Sequence, residues 1–554
     1  MIICKTNDNK NIYSSWRENG EKKSKVEEFR PYFYVLDDAK EIPSYRPSKT
    51  LIRPFEYEKG DWVNLDGQPL KKVYVDNSYD IKNARKLFSQ TFEADVPYHF
   101  RYCVDNLNDM PEYNMRKWYW DMEWQQGGEY HDCITTIVMY DNYDKQYYQW
   151  VWCPNQEFDL SVFTNYGNNE LFLYDNEKDM IESFISTMVD KDPDMLIAWF
   201  GHFADLPKLL ERACILGIDP TVMSPIKSIK GVKKVKDGFK FSYGEKGFSP
   251  IEQPIGGRIT LSLDMAFERQ WNDSQRGTLP SLSLDYVSES VLGKKKLVSE
   301  KFPDTNEFYR HGWLEDTETY LEYALKDVEL IVEIDETNYC SEAILSLQRL
   351  LIAPFDACFY ASHMGSIYFM RNADWKAPTG VKVENRKQYQ GAMIYDPLSE
   401  NTNGLHLGVA AFDYAGLYPS MIVARNISFE TKSSEPTEFG VNILTPRDFS
   451  EVKETEMVYF KTDKLGLIPR AILELKSLRS NYKAKMKEAR ETNNGEYAKW
   501  YNNQMAVKRL SASFYGILAF QGFGWADVDL AASITASARE AIRLAAFKAK
   551  EMKE

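Results

Sequence analysis

The stretch Val409-Ala410-Ala411-Phe412-Asp413-Tyr414-Ala415-Gly416-Leu417-Tyr418-Pro419-Ser420 constrains the fold of this chain most. Its first four residues are apolar and read as a strand that ends in the carboxylate of Asp413. The chain then turns through Leu-Tyr-Pro-Ser into a helix, since proline is tolerated in a helix's first turn and not in its interior. A second strand, Lys117-Trp118-Tyr119-Trp120-Asp121-Met122-Glu123-Trp124, is aromatic and carries Asp-x-Glu. Period-two geometry puts Asp121 and Glu123 on one face, close enough to share a divalent ion. Met195-Leu196-Ile197-Ala198-Trp199-Phe200 reads as a buried strand leading through Gly201 to Asp205 near the start of a helix. Tyr323 and Asp327 stand at i and i+4 on a helix opened by Asp316-Thr317-Glu318, and so share a face. Alone, Asp-x-Glu reads as a solvated strand edge, and Tyr323 with Asp327 as a helix-surface pair. The ordered set is what suggests a metal site.

At 554 residues the chain exceeds what one hydrophobic core supports, so several domains are expected. Residues 1–105 mix short strand-like runs with turns and read as a mixed domain. From 106 to 335 strand-like and helical runs alternate, which implies an α/β domain. Residues 336–375 form an apolar, helix-periodic connection expected to pack back on the first domain. Sheet is expected around Asp413 within 376–470. A helical hairpin over 471–510 follows, divided by the turn signal Asn493-Asn494-Gly495, and then an Ala-rich helix within 511–554.

No apolar run approaches the ~20 residues of a membrane span, and the first residues lack a signal peptide's basic-then-apolar order. Seven scattered Cys without a Cys-x-x-Cys pair argue against a disulfide framework or zinc ribbon, and a reducing, cytoplasmic compartment is expected. A net charge of −14 does not by itself suggest a nucleic-acid binder, but distribution matters more than the sum. Between Arg470 and Leu510 ten basic residues face four acidic ones, and Lys227, Lys230, Lys233, Lys234, Lys236 and Lys240 form a second basic run. Composition alone reads both as solvated surface.

The Asp413–Ser420 segment resembles motif A of family B DNA polymerases. Asp121, Glu123, Asp205, Tyr323 and Asp327, in that order, resemble the Exo I, Exo II and Exo III motifs of the family's DnaQ-like 3′–5′ proofreading domain. Thr91 through Tyr98, Gly257-Arg258 through Asp264, and Tyr389-Gln390-Gly391-Ala392 are similar to further family segments. Arg479-x-x-x-Lys483 followed by Lys508-Arg509-Leu510-Ser511-Ala512-Ser513-Phe514-Tyr515-Gly516 resembles the fingers signature.

The resemblance implies an α/β and α+β multidomain chain of phage or viral replicative type: a mixed N-terminal domain, a ribonuclease-H-like exonuclease domain, and a partial palm with helical fingers. By it, Asp121, Glu123, Asp205 and Asp327 hold two Mg2+ ions, with Mn2+ as the alternative, and Tyr323 orients the attacking water. Asp413 would bind the polymerase metals, and Tyr418 would lie under the incoming sugar. Arg479, Lys483 and Lys508 would seat the triphosphate, Tyr515 and Gly516 would follow the minor groove of the new pair, and Tyr389 and Gly391 would touch template. Implied partners are primer-template and single-stranded DNA, dNTPs, and, as a further candidate, a sliding clamp. The Lys-rich stretch 227–250 reads equally as a strand-separating hairpin and as a surface loop.

Three residues depart from the family pattern. The second exonuclease motif, Asn-x-x-x-Phe-Asp, here has Phe200 and Ala204 in place of Asn and Phe, and Ala512 replaces an Asn of the fingers signature. A nucleotidyl-transfer site also needs a second carboxylate, which the family supplies in a Tyr-Gly-Asp-Thr-Asp turn. The similar strings here, Asp304-Thr305-Asn306 and Asp316-Thr317-Glu318, both precede motif A. The expectation is therefore the front part of such a polymerase, either naturally split and completed by a second polypeptide bearing motif C and the thumb, or from an incompletely recovered gene. A non-catalytic DNA- and nucleotide-binding subunit is the alternative.

Overall fold

Lys117–Trp124, buried over its first four residues, lies in the middle of a six-stranded sheet in the computed structural model. The structure describes residues 1–552 except 43–50, 52–53, 155–167, 244–246, 272–276, 387, 392, 394–406, 411 and 444–455. Strand order across the sheet is Asn169–Tyr174, Gln146–Trp152, Ile134–Asp141, Lys117–Trp124, Met195–Ala198, Ile259–Ser262. Ile134–Asp141 runs antiparallel to both of its neighbours, whereas Met195–Ala198 is parallel to Lys117–Trp124 and to Ile259–Ser262. This is the expected ribonuclease-H-like arrangement, with Asn169–Tyr174 added at one edge. Its core is aromatic: Trp118, Trp150, Phe184 and Trp313 are all fully buried.

The chain divides into two units, Met1–Phe29 with Asn106–Phe359, and Arg30–Asp105 with Tyr360–Glu554. Residues 1–105 are thus not one block. The meander Ile2–Lys5, Asn11–Glu18, Glu21–Glu28 joins the exonuclease-like unit. The physical reason is a buried ion-pair network: Arg17 Nε bonds Asp194 at 2.5 Å, Lys22 bonds Asp192 at 2.9 Å, and Arg258 bonds Asp192 at 2.6 Å. The connection 336–375 is also divided. Its helix Cys340–Leu351 stays with the first unit, where Lys117 Nζ reaches Ser341 Oγ at 3.0 Å and Gln348 Nε2 donates to the Met1 carbonyl at 2.9 Å.

In the second unit a three-stranded sheet, Tyr32–Leu36, Pro69–Tyr74, Glu56–Val63, accompanies the helix Tyr98–Asn106, whose buried Arg101 pairs with Glu93. The expected helical hairpin is present as Leu467–Thr492 and Tyr497–Ala519, and both Asn493 (φ 48°) and Gly495 (φ 78°) of its turn are left-handed. The Ala-rich helix runs Val528–Glu551, capped by Asp527, and is buried from Leu530 to Arg539. Among the described residues no helix is long and apolar enough to cross a membrane.

Candidate functional site

Asp121 and Glu123 alternate with Trp120 and Met122, which are 3% and 2% exposed, so the core side of the strand fixes which way both carboxylates point. The helix Thr317–Asn338 packs on this face. Tyr320 anchors it through a 2.9 Å contact between its hydroxyl and Thr135 Oγ1, and the next helical turns present Tyr323 and Asp327. Carboxylate oxygens of Asp121, Glu123 and Asp327 all lie within 4.8 Å of one another. Asp205, at the start of the helix Asp205–Ile215, accepts the Met122 backbone N–H and exerts the largest single charge effect on Asp121. The structure therefore brings three of the four predicted ligands into one cluster and sets the fourth against Asp121.

Burial dominates the electrostatics. It holds Asp121 well above the usual carboxylate range, reinforced by Asp205, Glu123 and Asp327. Burial and then Asp327 push Glu123 up to about 8, and burial pushes Asp205 to about 7. Asp327 is raised by burial against the opposing effect of Lys296. A cation beside such a set favours its full ionisation. Asp327 Oδ1 is buried without a hydrogen-bond partner among the described residues. Clustered carboxylates are the hard oxygen donors that magnesium and manganese prefer, so these residues fit a divalent ion.

One site residue was not legible in the sequence. Lys296 Nζ bonds Asp327 Oδ2 at 2.5 Å and the Tyr323 hydroxyl at 2.9 Å, and lies 5.0 Å from the Tyr323 ring centre. The Tyr309 hydroxyl holds the Tyr323 hydroxyl from another side at 2.9 Å. Lys296 closes a run of three lysines after Gly293, the left-handed residue (φ 67°) ending the helix Leu284–Leu292. Lys294 pairs outward with Glu333 and Lys295 with Glu289, so nothing local marks the third lysine as the one turned inward.

The motif A region departs from expectation. Val409, Ala410 and Phe412 belong to no strand, and Ala411, like Ala392 of the Tyr389 segment, lies outside the described residues. Phe412 is 96% exposed and Asp413 is exposed beside it. Among the described residues the apolar run has no pairing strand, and the sheet described later in the sequence consists of Lys432–Ser433, Met457–Phe460 and Val441–Asn442. The helix Leu417–Ala424 does follow, entered through the left-handed Gly416.

Three of the predicted nucleotide- and DNA-contacting residues do meet. The Tyr418 and Tyr515 rings are 4.7 Å apart, and the Tyr515 hydroxyl is 3.1 Å from that of Tyr389. Gly391 joins them through a residue absent from the sequence reading. The buried Arg539 donates to the Gln390 and Gly391 carbonyls, both at 2.7 Å, and Thr535 Oγ1 donates to Gln390 at 2.8 Å. Burial and the nearby Arg543 lower the Arg539 pKa, and its Nε and Nη2 have no hydrogen-bond partner among the described residues. Its signal was hidden because Leu530–Ala538 reads only as a packing helix. On the hairpin Arg479 Nε bonds Gln504 Oε1 at 3.2 Å, while Lys483, Lys508 and Gly516 are exposed.

The DNA polymerase of Pyrococcus glycovorans is 26% identical over 595 residues, covering 99% of this chain and 68% of that protein. The DNA polymerase delta catalytic subunit of Candida albicans is 24% identical over 395 residues, covering 70% and 36%. Among solved structures, the family B DNA polymerase from the hyperthermophilic archaeon Pyrobaculum calidifontis matches in fold with a TM-score of 0.67 at 18% identity, covering 99% of this chain and 71% of that one. These relatives support the family and not specifically a phage or viral type. The exonuclease domain of DNA polymerase family B matches residues 120–265 and DNA polymerase family B itself matches 363–553, together more than half of the sequence. The chain belongs to DNA polymerase family B.

Proposed function

We propose that this chain is a 3′–5′ exonuclease on single-stranded DNA joined to one side of a nucleotidyl-transfer site. The observation that carries the first part is the convergence of Asp121, Glu123 and Asp327 within 4.8 Å, with Tyr323 hydrogen-bonded beside them. Asp121, Glu123 and Asp327 would hold the magnesium, with Asp205 flanking Asp121. Bound there, magnesium or manganese lowers the pKa of a water and neutralises charge on the phosphodiester. Tyr323, fixed by Lys296 and Tyr309, orients the water whose oxygen attacks phosphorus. The 3′ oxygen of the penultimate nucleotide leaves and takes up a proton, releasing a nucleoside 5′-monophosphate.

For synthesis, Asp413 supplies one carboxylate, Tyr418 supports the sugar, and Arg479, Lys483 and Lys508 meet the triphosphate. Tyr515 with Gly516 follows the new pair, and Tyr389 with Gly391 the template strand. The second carboxylate and the thumb come from a second polypeptide or from further sequence of the same protein. The exposed Phe412, Leu544 and Phe547 support such a partner, because Tyr414 of the first segment already hydrogen-bonds Ala541 of the last helix at 3.1 Å. A sliding clamp is a further partner.

The test is a nuclease assay of the purified chain on single-stranded DNA with magnesium, with Asp121→Ala plus Glu123→Ala as control. Degradation from the 3′ end that the control lacks is expected. Equal inactivity of both proteins supports a non-catalytic binding subunit instead. Primer extension should be negligible until a fragment with Tyr-Gly-Asp-Thr-Asp and a thumb is added, and robust extension by the chain alone, abolished by Asp413→Ala, overturns the reading of an incomplete nucleotidyl-transfer site.

A further inference from the structure

The turn between the strand Met195–Ala198 and the helix Asp205–Ile215 carries two large apolar side chains in the open. Phe200 is 38% exposed and Phe203 is 44% exposed, five and two residues before the carboxylate of Asp205. Single exposed apolar residues are ordinary. Two aromatic rings in one short turn ahead of a site carboxylate are a different matter, because the turn is held rigidly. The N–H groups of Phe203 and Ala204 both bond the Phe200 carbonyl, at 2.8 and 3.0 Å, and Phe248 donates its N–H to the His202 carbonyl at 2.8 Å. Gly247 presses so closely that a Cβ there would lie 2.6 Å from the His202 oxygen and 2.8 Å from Phe203 Cα. Next to Phe200, the Trp199 indole N–H donates to the Leu282 carbonyl at 2.9 Å and fixes that side of the turn.

These rings also stand where the chain departs from its family. Phe200 takes the place of the Asn in Asn-x-x-x-Phe-Asp, and the Phe of that pattern is Ala204. The amide that would hydrogen-bond a DNA end is gone, and apolar ring surface is offered instead. Bases present a π-face whatever their sequence, and stacking on an aromatic side chain is sequence-tolerant. A turn whose backbone is already held in place loses little backbone freedom on binding.

We propose that Phe200 and Phe203 form a stacking platform for the terminal bases of single-stranded DNA, replacing amide recognition at this exonuclease site by stacking. The proposal rests on the exonuclease reading, and its test reads binding as well as hydrolysis. A single-stranded oligonucleotide with 2-aminopurine at its 3′ end is titrated with the full chain in calcium buffer, where binding is followed without turnover. The wild type should quench the fluorescence. Phe200→Ala and Phe203→Ala should each weaken binding about 5- to 150-fold with loss of quenching, and Phe200→Trp should retain both. In magnesium the alanine variants should raise KM and leave kcat at saturating DNA unchanged. Absence of quenching by the wild type, unchanged affinity and quenching in both alanine variants, or recovery by Phe200→Asn and not by Phe200→Trp overturns the proposal. If the wild type quenches but does not degrade DNA, the exonuclease reading fails and the platform stands. If it degrades DNA while the alanine variants bind unchanged, the platform alone fails.

Discussion

Lys296→Met removes the ammonium that touches Asp327 and Tyr323 while keeping an unbranched apolar side chain in its place. Deleting one partner of a buried ion pair typically costs 3–5 kcal/mol. The Lys296 side chain is 25% exposed against 3% for Asp327, so the lower end, about 3 kcal/mol, is expected in metal-free buffer. The pH dependence has a definite sign. Folding raises the pKa of the clustered carboxylates, to about 8 at Glu123 and about 7 at Asp205. Their contribution to stability is full below their unfolded pKa values and is lost as pH rises through the folded ones. Lys296 opposes that loss by compensating the charge, so its removal matters most at pH 8 and least where the carboxylates are protonated. For a unit of this size 1 kcal/mol moves Tm by roughly 2 °C. Thermal melts in chelator should show the variant about 6 °C below the wild type at pH 8 and less than half of that at pH 5.5. Magnesium, binding only the folded form, should narrow the gap at pH 8. Equal Tm values at pH 8 in chelator, or a gap indifferent to both pH and magnesium, would refute the charge-compensation argument.

Arg539→Met should lower Tm, because the Gln390 and Gly391 carbonyls lose a charged donor that nothing in the variant replaces. By loosening the Gln390-Gly391 segment it should weaken primer-template binding while leaving the salt slope unchanged, since a fully buried guanidinium neutralises no phosphate, measured by anisotropy across a salt series. His202, 1% exposed and hydrogen-bonded to the Glu252 carbonyl, is pushed down to about 4 by burial. It therefore contributes stability that is full above pH 6.5 and lost as pH falls toward 4, up to about 3 kcal/mol. Melts of His202→Gln over that range should lose this slope, and an unchanged slope assigns it to other groups.

What could be read from the sequence followed from how local each signal was. Asp121 and Glu123 were legible because two residues of one strand necessarily share a face, and Tyr323 with Asp327 because four residues make one helical turn. Lys296 was not, since its role depends on a loop meeting a helix some thirty residues away, and its neighbours Lys294 and Lys295 have the same chemistry on the surface. Arg539 was lost for the opposite reason. The small residues around it signal burial, and burial of an arginine is decided by the carbonyls of Gln390 and Gly391, nearly 150 positions away. The assignment of residues 1–29 turned on the Arg17–Asp194 pair, which no periodicity encodes. At Val409–Phe412 the apolar pattern led to the expectation of a strand, but Val409, Ala410 and Phe412 belong to none, because a strand needs a neighbour to satisfy its backbone and the described residues supply none.

This last contrast separates the two chemistries. Each carboxylate of the exonuclease cluster is fixed by the six-stranded sheet or by a helix of the same unit, so the cluster is assembled whenever that unit is folded. Asp413 follows residues, Val409, Ala410 and Phe412, that are exposed and have no strand partner among the described residues of the other unit, so its geometry depends on what pairs with them. Substitutions should therefore act on one activity each. Asp413→Ala should leave 3′-end degradation within about twofold of wild type, and Asp121→Ala should lower it by ~10²–10³, the scale typical of losing one electrostatic contact to a reacting group. Adding a polypeptide that pairs with Val409–Phe412 should protect the Asp413 segment from hydrogen exchange without altering the exchange of Lys117–Trp124. Loss of degradation in Asp413→Ala, with an unchanged thermal melt, would mean that the two sites share a residue or a state, and the separation argued here would be wrong.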